Sequence, residues 1–164
     1  MSDFATLGNV ELLKLHKIAF LCSRTCPANI ILKSYDWAIE QREKGNCIIS
    51  GFHSQIEKDV FHYLLKGTQP VILTLARGIK KRIEPEIKNT LAENRLLIVT
   101  PFAESVKRIT AETARKRNKL MVELADEIII AYAAKGGNIE KLMQENLQHG
   151  KAVSTFDVED QAGS

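Results

Sequence analysis

Apolar residues gather in short clusters along this chain, and the stretches between them carry apolar residues at helical spacing. The clusters are Lys17–Leu21, Cys47–Ser50, Pro70–Leu75, Leu96–Val99, Glu127–Ala131 and Lys151–Phe156. From the second onward they read as apolar runs rather than alternations, the pattern of strands covered on both faces. Between them, Ile30, Ile31, Tyr35, Ala38 and Ile39 mark one face of a helix that Pro27 opens and that runs to about Lys44. Ile56, Val60, Tyr63 and Leu64 mark a second helix over Gln55–Lys66, capped by Gly67. Further helices are predicted over Glu84–Glu93, Thr110–Leu124 and Ile139–His149, the last with Leu142, Met143 and Leu147 on its buried side. Short strands alternating with longer helices predict βαβ units. Right-handed crossovers then give an α/β, Rossmann-like, doubly wound and mainly parallel sheet of about six strands with helices on both faces. One domain is expected over residues 1–164, with its core at about 17–156. Residues 1–16 read as a polar start with one short helix, and Val158–Ser164 as a loose polar tail.

Composition narrows this picture. The 164 residues suit one domain, and 45% hydrophobic with 26% charged residues is an ordinary globular balance. No apolar run approaches a bilayer span, and the N-terminal stretch lacks the basic-then-apolar plan of a signal peptide. A cytoplasmic protein with no membrane partner is expected. Cys22, Cys26 and Cys47 are odd in number and lack the ligand spacing of a zinc site, so they read as reduced thiols, with no metal and no cofactor. The net charge of +3 does not by itself point to nucleic acid, but its distribution is uneven.

In a doubly wound sheet, ligands bind outside the carboxyl ends of the strands. The segments that follow the strands are therefore the informative ones: Cys22–Pro27, Ser50–Ser54, Ala76–Arg82, Thr100–Ser105 and Ala133–Asn138. They are poor in apolar bulk and rich in small, hydroxylated or cationic residues. Helix N-termini, hydroxyls and Arg or Lys are what an anionic oxygen requires, so the inferred ligand carries phosphate.

Each candidate has a plainer alternative. Ser23 and Arg24 either contact a phosphate or serve as a helix cap and a solvated charge. Ser50 and Gly51 either allow close backbone approach or form an ordinary turn. Lys135, Gly136, Gly137 and Asn138 either cradle a phosphate or make a flexible loop, and they match neither a Walker A nor a GxGxxG pattern. Six cations and one acid lie between Lys107 and Lys119, and Arg77, Lys80, Lys81 and Arg82 form a second basic group. The two groups form either solvated faces or the footprint of a polyanion. Asn118 interrupts the apolar stripe Ala111, Ala114, Met121, Ala125 and must find a partner. His16, His62 and His149 are scattered, and only His53 follows a strand. Glu57 and Asp59 are either acid/base groups or solvent-facing helix charges, with the second reading favoured. No catalytic residue is assigned, and binding is favoured over catalysis.

Read in order, these loops resemble the DNA-processing protein A (DprA/Smf) family. Cys22-Ser23-Arg24 stands where that family has Gly-Ser-Arg after its first core strand. Ser50-Gly51 and the following Phe52–Glu57, with His62 downstream, stand where it has Ser-Gly, Ala-Arg-Gly-Ile-Asp and a later His. Arg117-Asn118-Lys119 matches its Arg-Asn-Arg, Leu124–Ile130 its next strand, and Lys135–Asn138 its Ser-Gly-rich loop. The likeness covers residues 17–156, the core domain of the family. Cys22, Ser54, Gln55 and Lys119 depart from its Gly, Arg, Gly and Arg. The resemblance implies single-stranded DNA binding and delivery to a recombinase during DNA processing, uptake and recombination. Phosphate contacts would then fall to Ser23, Arg24, Ser50, Gly51, Arg117, Asn118 and Lys119, with Lys135, Gly136, Gly137 and Asn138 closing the pocket.

Two further readings stay open. One is a nucleotide-binding sensor or enzyme like the phosphoribohydrolases of the same superfamily, whose Pro-Gly-Gly-x-Gly-Thr-x-x-Glu loop is only partly matched by Ala134–Glu140. The other is a scaffold with a vestigial site. Homo-oligomerisation through exposed helix faces is open in every case.

Overall fold

The computed structural model describes residues 3–146 and 150–156. The expectations for His149, for Leu147 and for the tail after Phe156 lie outside these residues. The strands are β1 (Ala5–Gly8), β2 (Lys17–Cys22), β3 (Cys47–Ser50), β4 (Val71–Thr74), β5 (Leu96–Thr100), β6 (Glu127–Tyr132) and β7 (Ala152–Thr155). The helices are α1 (Ala28–Lys44), α2 (Gln55–Leu65), α3 (Pro85–Ala92), α4 (Ala111–Leu124) and α5 (Asn138–Asn146), with a 3-10 helix at Val10–Lys14.

All seven strands form one sheet in the order β1-β5-β4-β3-β2-β6-β7. Every pairing is parallel except that of β1 with β5. The chain starts the parallel core at β2, winds outward through β3, β4 and β5, then returns to the other side of β2 to lay down β6 and β7. The direction of winding therefore reverses between β2 and β6.

Alternate residues of the inner strands feed two cores, as period-2 geometry requires. Ile18, Phe20, Ile48, Val71, Leu73, Leu96 and Ile98 face a layer that includes Ile30 and Ala38 of α1 and Val60 and Leu64 of α2, with Ile87 and Leu91 of α3 at its margin. Ala19, Leu21, Ile49, Ile72, Leu97, Val99, Ile128 and Ile130 face Leu120 and Met121 of α4 and Leu142 of α5. Helices thus cover both faces, which explains why these strands read as unbroken apolar runs. Tyr35 of α1 donates to Asp59 Oδ2 of α2 at 2.5 Å, and that bond holds the Tyr35 hydroxyl up at about 12.

One strand differs from expectation. The polar start contains the predicted short helix, at Val10–Lys14, but also β1, which pairs Ala5 with Thr100 and Gly8 with Leu97. All of β1 is exposed. An edge strand held by backbone hydrogen bonds needs no apolar pattern, so ATLG carried no strand signal. Among the described residues no helix is long and apolar enough to cross a membrane.

Candidate nucleic-acid interface

The carboxyl ends of β2 and β6 meet at the point where winding reverses, the usual place for a ligand in an open α/β sheet. The register of the two strands shifts between Leu21 and Cys22, so that Cys22 faces Tyr132. Such an irregularity re-aims the residues that follow it. Beyond it the two loops are laced together. The Ser23 backbone N–H donates to Tyr132 O at 2.9 Å, and Ser23 Oγ accepts from the Ala134 N–H at 2.8 Å. The Ser23 hydroxyl therefore joins the loops rather than capping α1, which begins after Pro27 with no side-chain cap.

These loops form one wall of a cleft of about 520 Å³. Ser23 and Arg24 come from β2–α1, His53 and Ser54 from β3–α2, Gly137 and Asn138 from β6–α5, and Arg117 and Asn118 from α4. Thr110 at the start of α4 also lines the cleft. Its hydroxyl accepts from the Thr113 N–H at 3.1 Å, and the Thr113 hydroxyl oxygen accepts from the Thr110 N–H at 2.8 Å.

The floor is organised by Glu57, for which the sequence favours a solvent-facing helix charge over an acid/base group. Glu57 is buried, and burial pushes its carboxyl above the ordinary glutamate value. It accepts the N–H groups of Cys22 at 3.0 Å, His53 at 2.8 Å and Ser54 at 3.3 Å. Those bonds and the positive charge of Arg117 pull in the opposite direction. A single carboxylate thus ties the end of β2 to the loop after β3. The signal was present in Ser54-Gln55-Ile56-Glu57, an S-x-x-E capping box that puts Glu57 back over the helix N-terminus instead of out in water.

Arg117 is only 6% exposed. Its Nε donates to Asn118 Oδ1 at 2.8 Å, which supplies the partner that Asn118 needs on a stripe where Met121 and Ala125 are also buried. The guanidinium packs on Gly51: a Cβ there would lie 2.3 Å from Nη1 and 2.8 Å from Nε. Gly51 therefore permits close approach, as one of its two readings required, but the approaching group is a side chain of the same protein. Ser50 lies beneath, fully buried, and its Oγ accepts from the Phe52 N–H at 3.1 Å. That bond supports Phe52 at a φ of 46°, a left-handed conformation costing about 1–2 kcal/mol. The Phe52 ring offsets the strain by stacking on Phe61 with centroids 4.4 Å apart.

Six of the eleven sequence-predicted residues thus line one cleft: Ser23, Arg24, Arg117, Asn118, Gly137 and Asn138. Gly51 borders it through Arg117, and Ser50 supports the turn from inside. Lys119 lines an adjoining depression with Arg115, Lys116 and Lys141, which shares Asn118 and Asn138 with the main cleft. Lys135 and Gly136 are exposed on the rim, where the Gly136 N–H donates to Glu140 Oε1 at 3.0 Å. His53 stands between cations. Burial first, then Arg117, Arg24 and Lys58, hold its imidazole below the ordinary histidine value.

A search of curated protein sequences finds no significant relative. Among solved structures, the chain is similar to DNA processing protein A from Helicobacter pylori, a protein described by its single-stranded DNA binding mode. The TM-score is 0.77 at 18% identity, over 93% of this chain and 70% of that one. It is also similar to DNA processing protein A (DprA) from Streptococcus pneumoniae, with a TM-score of 0.75 at 21% identity over 93% of this chain. The chain spans only 54% of the S. pneumoniae protein. At such identities the two structures speak for the fold. The sequence itself matches the family model over residues 4–162, nearly its whole length, and on that match the chain belongs to the DNA recombination-mediator protein A family.

Proposed function

We propose that this protein binds single-stranded DNA in DNA processing, through phosphate contacts at the carboxyl edge of the sheet. One observation carries the reading. Segments remote in the chain, two loops and the helix α4, bring Arg24, Gly137 with the start of α5, and Arg117 with Asn118 to one cleft at the strand-order reversal. Such a rim offers guanidinium groups and helix N-terminal N–H groups to an anionic oxygen. Among the described residues, the imidazole of His53 is the one aromatic ring in the cleft lining. Recognition then rests on the phosphate backbone more than on stacked bases, and binding is tolerant of sequence. Family membership and the DNA-binding Helicobacter relative support the same ligand. A recombinase is the partner that such a role calls for.

Anisotropy titration of a labelled oligo-dT at several salt concentrations tests this. Log affinity is expected to fall with log salt by about 0.7 for each phosphate neutralised. Arg24→Ala is expected to weaken binding about tenfold and to lower that slope by about 0.7. An affinity that is absent, or indifferent to salt, refutes the reading.

The size of the cleft, about 520 Å³, also suits a small ligand, and this favours a nucleotide as the second reading. Release of free base from a nucleoside monophosphate would decide for it.

A further inference from the structure

The cleft at the β2/β6 junction continues along the sheet edge. His53, Ile109 and Arg117 also line a second depression of about 460 Å³, which extends over Gly51 and Lys58 to Arg77. Arg77 in turn lines a third cleft, of about 500 Å³, between the β4–α3 and β5–α4 loops. Lys80, Lys81 and Lys107 stand on its walls, with Glu104 the only acid among the described residues that line it.

This third cleft is built rather than incidental. The Gly78 N–H donates to Val106 O at 2.8 Å, and Thr100 Oγ1 donates to Arg77 O at 2.5 Å. A Cβ at Gly78 would lie 2.3 Å from Ala103 O and 2.7 Å from Glu104 Cα, so the two loop backbones close on each other where only glycine fits. Among the described residues, Arg77 Nε is buried without a hydrogen-bond partner, at the join between the second and third depressions. A buried guanidinium N–H of this kind calls for an acceptor. Lys80, Lys81 and Lys107 form no salt bridge among the described residues.

From this continuity we propose that Arg77, Lys80, Lys81 and Lys107 form a second phosphate anchor. The ligand is then a single-stranded nucleic-acid polymer running from the Arg24/Arg117 cleft across the ends of β2, β3 and β4. The inference rests on the proposed function and adds to it the length and path of the ligand. From β2 to β4 is two strand spacings, about 10 Å. A mononucleotide concentrates its charge at one end and fills one cleft, whereas a polymer presents a phosphate to each.

The test compares dTMP with oligo-dT of increasing length, by anisotropy and competition, on the full chain. The proteins are wild type, Arg24→Ala, Lys80→Ala/Lys81→Ala and Lys107→Glu, with circular dichroism verifying that each variant is folded. Wild-type affinity is expected to rise with length beyond what one cleft accommodates. The double variant is expected to lose that rise and about 1.4 of the salt slope, two phosphates at about 0.7 each, while short oligomers bind as before. Lys107→Glu is expected to lose the length gain as well. If both lysine variants keep the wild-type slope and length dependence while Arg24→Ala weakens binding, the second anchor is refuted and the central cleft stands. If wild type binds dTMP but no oligomer, the polymer reading and the anchor both fall.

Discussion

At the scale of single residues, the site depends on how Arg117 is held. A buried guanidinium is stable here because Asn118 accepts from Nε and the carboxylate of Glu57 supplies opposing charge. Its position depends on the absence of a side chain at Gly51. Gly51→Ala forces a methyl into the guanidinium, and because Arg117 is buried it has little room to yield. Stability is expected to fall by about 1–3 kcal/mol, the usual cost of overpacking, with a loss of DNA affinity beyond that explained by unfolding. Urea denaturation and anisotropy on the same samples would separate the two effects. Unchanged affinity in a folded Gly51→Ala protein would mean that the position of Arg117 does not matter to the ligand. Gly51 was legible from its place after a strand, whereas the burial of Glu57 was legible only to a reader who took Ser54 and Glu57 together as a cap.

At the scale of elements, helix starts shape the cleft. α4 begins at a reciprocal Thr110/Thr113 cap, and its first residues form part of the wall. Thr110→Ala removes the acceptor of the Thr113 N–H and is expected to cost about 1 kcal/mol in a urea melt. A loss well below that would show that packing against the sheet, not the cap, sets where α4 begins. The helices and the inner strands were readable because both patterns follow from burial: one face for a helix, both faces for an inner strand. β1 was not, since an exposed edge strand is held by the β5 backbone and by nothing its own side chains announce.

At the scale of the whole molecule, charge is gathered where the strands end. His53 lies among these charges: burial first, then Arg117, Arg24 and Lys58, hold its imidazole below the ordinary histidine value, while its own backbone N–H is held by Glu57. On the proposed function, phosphate binding neutralises those cations and so raises the affinity of the imidazole for a proton. The bound state then holds more protons than the free state, and by linkage binding tightens as pH falls. The gain is expected below about pH 6.5, the ordinary histidine range, and levels off once free His53 is itself protonated. His53→Gln is expected to flatten the profile, and a wild-type affinity independent of pH between 7.5 and 5.5 would contradict this coupling.

The layered α/β plan, its double winding and the loops that could meet a ligand are legible in the amino-acid pattern alone. Those properties follow from local periodicity and from a topological rule that needs no contacts. Which loop residues face one another follows from the folded arrangement alone. Ser23 became a bridge to Ala134, Ser50 a buried support and Arg117 a walled guanidinium, while Lys119 and Lys135 fell outside the main cleft. Side-chain direction at a strand end depends on register and on what packs beneath, and both are set by residues far away in the chain.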